Sequence, residues 1–212
     1  GVKISTFILD LSGGHLFLAL VLTMATCIIL GMEVPTTAAY IMAAVVAAPV
    51  LIKMGIHPLP AHLFIFYFAI LSAITPPVCG AVYIASGMAN ADWVETTKYS
   101  LRLSYAAFLM PFVFVYDPSL LLIGDSWMDT VLCAVRTVMA MILLSAGFIG
   151  QLRGAIKRFG RMLLIVIGIL WIVPNWVCDL MALAGSVLIF LDRKILYHVG
   201  RPLAGVSQTS PL

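Results

Sequence analysis

The stretch GMEVPTTAAYI, residues 31–41, sets a glycine, a glutamate, a proline and two threonines between two apolar runs. Those runs, His15 to Leu30 and Pro35 to Leu51, contain no Asp, Glu, Lys or Arg. Each is short against the roughly 20 residues needed to cross a hydrocarbon core. The first is opened by Ser12, Gly13 and Gly14 and closed by Gly31; the second begins with Pro35, a residue suited to the first helical position. Two short helices meeting at a Gly and Pro tip predict a hairpin over about 15–51 that enters and leaves on one side, with Lys3 and Lys53 at its base. Length alone also fits two ordinary spans joined by a tight turn.

The whole chain agrees with a membrane setting. It is 63% hydrophobic and 10% charged, with mean hydropathy +1.12, whereas soluble domains carry roughly 25% charged residues. Near-span-length apolar runs recur along it and leave no room for a soluble domain of useful size. The net charge of +3 is not a nucleic-acid signature, because the basic residues cluster in short loops, where they set topology. Cys27, Cys79, Cys133 and Cys178 stand singly without CxxC spacing and are expected as small buried hydrophobes. No secretory signal is evident before Leu16, and a first residue of Gly suggests a fragment of a longer chain.

A second interruption lies in SAITPPVCGAVY, residues 72–83, within the apolar run Pro60 to Ser86. Pro76 and Pro77 remove two backbone donors and clash with the preceding turn, so the helix must open near Ile74 and Thr75. Carbonyls freed inside a bilayer need another partner. Downstream, GMANADWVETTK reads as an interfacial linker, Tyr99 to Tyr116 as a span, and Trp127 to Gly150 as another. Met162 to Leu191 is an apolar pair split by Pro174 and Asn175. Lys98 and Arg102, then the Arg-free and Lys-free loop 117–129, then Arg153, Lys157, Arg158 and Arg161 give the basic, acidic, basic order of two successive spans. Arg193, Lys194 and Arg201 put the C-terminus on the basic, cytoplasmic side and the hairpin base on the outer face.

Two helix breaks at membrane depth are the sequence sign of a midplane site in secondary transporters, where carbonyls meet cations and helix N-termini meet anions. Thr75 adds a hydroxyl to the carbonyls released by the prolines, a hard oxygen set suited to sodium. Pro35, Thr36 and Thr37 open a helix whose amide end can hold a carboxylate.

GMEVPTTAAYI, SAITPPVCGAVYIAS and ANADWVETTKYSLRL together resemble the large membrane subunit of tripartite ATP-independent periplasmic (TRAP) transporters, most of all the fused permeases of the TAXI subfamily. The resemblance runs from about Leu11 to Leu122 and continues more weakly beyond. It implies a sodium symporter of the elevator type in the inner membrane, taking an organic acid from an extracytoplasmic binding protein, with no further cofactor. It also implies a sodium site using carbonyls of Gly31, Ser72 and Val78 and a carbonyl or hydroxyl of Thr75, with Pro35, Thr36 and Thr37 facing the substrate. Glu33 and Ser72 depart from the resemblance, standing where the family usually has a small residue and Gly. The family has two inverted repeats and this chain carries the elements of one, so an N-terminal repeat is expected as its partner.

Other residues read more plainly. Arg136, inside a span, is equally a substrate or subunit contact and a paired or snorkelling charge. Glu33 faces a watery cavity or serves as a cation ligand. His57 and His62, in HPLPAH, suit a loop at the membrane surface better than a metal site, and Asp179 with Asn175 suits a helix cap. The absence of GxSxG, HExxH and P-loop motifs gives no support to a hydrolase or ATP-driven pump. The expected fold is an all-α integral membrane bundle, with a transport repeat over 1–116, the broken helix over about 60–86, and additional helices over 117–212. A non-transporting membrane scaffold is the alternative function.

Overall fold

A computed structural model describes residues 2–32, 34–123, 127–150, 156–172 and 176–191, and these are almost entirely helical. The helices are α1 (Val2–Ser12), α2 (Leu16–Leu30), α3 (Thr36–Lys53), α4 (Pro58–Leu71), α5 (Gly80–Met88), α6 (Trp93–Tyr116), α7 (Trp127–Ile149), α8 (Arg158–Ile172) and α9 (Trp176–Leu191). Short 3₁₀ turns follow α4 at Ser72–Ile74 and α6 at Pro118–Leu121. Two compact units are formed, residues 1–138 and 139–212.

Glycines and prolines end the helices where the sequence places them. Gly13 and Gly14 take φ of 54° and 81°, a left-handed turn that separates α1 from α2. Pro58 lies in the first turn of α4, where a missing N–H leaves no helical bond unmade. Pro35, expected at the first helical position, is instead the N-cap, so α3 begins one residue later, at Thr36, and runs on to Lys53. At 18 residues α3 is long and apolar enough to cross a membrane, as are α6 and α7. By contrast α2, with 15 residues, reaches only about 22 Å against a core of about 30 Å. The hairpin therefore has one short and one nearly full-length arm.

In the first unit α4 is the centre, packed by α2, α3 and α6. Phe64, Ile65 and Phe68 are fully buried, with Phe64 against Phe68 at 4.8 Å and edge-on to Phe112 of α6 at 5.3 Å between centroids. Lipid is as apolar as these side chains, so close packing has to hold the helices together. Ala39, Ala43 and Ala47, one helical turn apart on α3 and fully buried, supply the small surface such packing needs. Outward faces carry Phe17, Val45, Leu103 and Val131, all exposed. An exterior this apolar suits lipid, and the protein is an all-α membrane protein.

In the second unit α8 turns back along α9, in agreement with the split expected at Pro174 and Asn175, which themselves lie outside the described residues. Cβ atoms added at Gly168 and Gly185 would fall 2.7 Å from Leu144 Cγ and 2.8 Å from Ile167 Cδ1. Glycine at these points lets neighbouring helices interlock. Arg161 donates from Nε to the Gly147 carbonyl at 3.0 Å and from Nη2 to the Phe148 carbonyl at 2.7 Å. One guanidinium thus closes the C-terminal end of α7, whose last carbonyls have no intrahelical donors.

Candidate functional site

The tip of the α2–α3 hairpin and the break after α4 meet. α2 ends at Gly31, whose N–H closes the last turn onto the Cys27 carbonyl at 2.9 Å. With φ −87° and ψ −2°, Gly31 adopts a conformation open to any residue. What requires glycine is proximity: a Cβ here would collide with Ser72 Oγ and approach Ser72 Cβ to 2.9 Å. Ser72, 2% exposed, donates its hydroxyl to the Gly31 carbonyl at 3.0 Å across 41 residues of sequence. The same hydroxyl lies 2.7 Å from the Ala69 carbonyl.

Beyond Ser72 the helix opens as the prolines dictate. Ser72–Ile74 tightens into a 3₁₀ turn, closed by the Thr75 N–H on the Ser72 carbonyl at 3.3 Å. Thr75 then leaves helical geometry at φ −102°, ψ 134°. Its hydroxyl donates back to the Leu71 carbonyl at 2.6 Å, which leaves the oxygen's lone pairs available. Pro76 and Pro77 are exposed and Val78 partly so. Cys79 turns the chain through a left-handed conformation, φ 41°, into α5.

The sequence-derived oxygen set is thus gathered in part. Gly31 and Ser72 are in direct contact, Thr75 is bonded to the Ser72 backbone, and Val78 stands at the far end of the break. Pro35, Thr36 and Thr37 lie on the exposed start of α3, whose N-cap, Pro35, offers no side-chain hydrogen bond to the first turn. Glu33 lies outside the described residues. Among the described residues no cluster of His, Cys, Asp and Glu could hold a metal ion, and Cys27, Cys79 and Cys133 are free and buried.

Several placements were not foreseen. His62 is not in a surface loop: it lies within α4 and pairs through Nδ1 with the Tyr40 hydroxyl at 3.0 Å. His57 is the residue that caps α4, accepting from the Leu59 N–H at 3.3 Å. Ser5 donates to the Val46 carbonyl at 2.6 Å, beside Pro49 within α3. Only Pro49 offered a sequence signal there, since an internal proline weakens the preceding turn. Arg136 falls within α7 as expected.

A hairpin tip set against a helix break inside an apolar bundle is an arrangement of the kind from which transporters with discontinuous helices build their sites. Residues 1–126 match the family described as Tripartite ATP-independent periplasmic transporter, DctM component, and the chain belongs to that family. It is a transporter permease component and not an enzyme, and membership implies an extracytoplasmic binding protein as partner. No curated protein and no solved structure matches the chain.

Proposed function

We propose that this permease couples sodium entry to uptake of an organic anion delivered by the binding protein. α2 and α3 form a re-entrant hairpin from the outer face of the inner membrane, and the C-terminus is cytoplasmic. Sodium is held by the carbonyls of Gly31, Ser72 and Val78 with Thr75, and the anion faces Pro35, Thr36 and Thr37 at the amide end of α3. The sequence resemblance supports a fused permease of the TAXI subfamily. The observation that carries this reading is the Ser72 to Gly31 contact, which brings both interruptions to one place. A hard cation fits there because the Thr75 oxygen keeps lone pairs while its proton is donated to Leu71.

The test is uptake by the complete transport system across a sodium titration. Thr75→Val keeps the side-chain shape and removes the oxygen, and raises the half-saturating sodium concentration roughly tenfold, about 1.4 kcal/mol. Thr75→Ser stays near the parent value. An unchanged sodium dependence in Thr75→Val removes the Thr75 hydroxyl from the site. Solute and ion handling indifferent to substitution at both Gly31 and Thr75 supports a scaffold instead.

A further inference from the structure

We infer that the Ser72 side chain, as distinct from its carbonyl, is a positioning tie: it holds the hairpin tip against the break without the cation and yields the Gly31 carbonyl when the cation arrives. This rests on the sodium reading above. A hydroxyl has one proton, and Ser72 Oγ has two acceptors, Ala69 O at 2.7 Å and Gly31 O at 3.0 Å. The shorter contact is to its own helix and the longer one reaches across to the tip. The other backbone donor at the Gly31 carbonyl is the Val34 N–H at 3.5 Å, beyond the usual N–H to oxygen range. Gly31 O is therefore an acceptor held by half of a shared proton and one long bond.

That arrangement makes the exchange inexpensive. When a hard cation takes the Gly31 carbonyl, the Ser72 O–H stays intact and bonds wholly to Ala69 O, so no buried hydroxyl is left unbonded. Without the cation, the same hydroxyl keeps the Gly31 carbonyl from being stranded against a buried neighbour. The glycine is needed for this geometry, because any Cβ at position 31 occupies the hydroxyl's place.

The test uses the intact chain in detergent, with sodium chloride as ligand and choline chloride holding ionic strength. Two readouts are followed: sodium protection against thermal unfolding, and maleimide labelling of Met32→Cys at the tip. Removing the tie by Ser72→Ala lowers the half-saturating sodium concentration about two- to tenfold, the worth of one shared hydrogen bond. It also speeds sodium-free labelling at position 32 by a similar factor. Ser72→Gly repeats the measurement should Ser72→Ala not fold. A merely structural serine lowers the melting temperature equally at every sodium concentration and leaves the half-saturation point in place, which overturns the tie. A parent protein that sodium does not protect overturns the sodium reading itself.

Discussion

Gly31→Ala isolates the contact on which the site depends. The backbone at Gly31 is right-handed, φ −87°, so alanine brings no conformational strain, and helix propensity is not at issue at a C-cap. All of the effect is local crowding. The new methyl collides with Ser72 Oγ and comes within 2.9 Å of Ser72 Cβ and 3.0 Å of the Cys27 carbonyl. Overpacking of this kind costs about 1–3 kcal/mol, and displacing the Ser72 hydroxyl from Gly31 O removes about 0.5–1.5 kcal/mol more. The expected loss is about 2–4 kcal/mol, read by reversible SDS titration of the detergent-solubilised protein.

The cycle with Ser72→Gly gives the decisive comparison. Ser72→Gly alone costs about 1–2.5 kcal/mol, from added backbone freedom and the lost hydroxyl bond to Gly31 O. In the double variant the methyl introduced at position 31 meets neither a hydroxyl nor a Cβ at position 72, and of its three nearest neighbours the Cys27 carbonyl remains. Most of the single-variant loss is recovered, leaving an interaction energy of about 1.5–3 kcal/mol, within the range for residues in contact. If the two losses simply add, or if Gly31→Ala is as stable as the parent, tip and break do not touch as described.

Two further outcomes follow from buried polar groups. Thr23 is fully buried on α2, and its hydroxyl has no hydrogen-bond partner among the described residues. Thr23→Val keeps the shape and raises stability by about 1–2 kcal/mol in the same titration; a decrease would mean that the hydroxyl is satisfied. Arg161→Met removes the charged donor shared by the Gly147 and Phe148 carbonyls and lowers stability by about 1.5–3 kcal/mol, whereas Arg161→Lys recovers only part, because a point charge cannot span both acceptors as the planar fork does.

The elements were legible because glycine and proline punctuate them. Gly31 and Pro35 bound the hairpin tip, and Pro76 and Pro77 open the helix after Ile74, since these constraints are local to the backbone. Helix α6 was read too short for an equally local reason. The apolar run begins at Tyr99, but Asp92 accepts from the Glu95 N–H at 2.9 Å and starts the helix at Trp93, so a cap outranked hydropathy. The site was less legible. Thr75 and the carbonyls beside it could be named from the proline pair, yet the Ser72 hydroxyl reaches a partner 41 positions away, and Tyr40 meets His62 across 22. Side-chain contacts between helices depend on packing angle and depth, which periodicity does not encode.

Packing also determines where this hairpin can rearrange. Along its body, Ala39, Ala43 and Ala47 of α3 and Leu20 and Cys27 of α2 are fully buried, and α4 packs against both arms. Moving either arm against α4 opens gaps in a close-packed interior. The tip is different: Val34 N–H reaches Gly31 O at 3.5 Å and Thr75 N–H reaches Ser72 O at 3.3 Å, long bonds that open easily. On the sodium reading, amide hydrogen exchange in the detergent-solubilised chain therefore slows on sodium addition at Val34 and Thr75, while the amides of Ala43 to Ala48 exchange at the same slow rate with and without it. The separation follows from local opening free energies, which are low where bonds are few and exposed and high in packed helix. Sodium-dependent slowing across Ala43 to Ala48 as well would refute it, because the hairpin would then answer the ion as one body and the tip would have no mobility of its own.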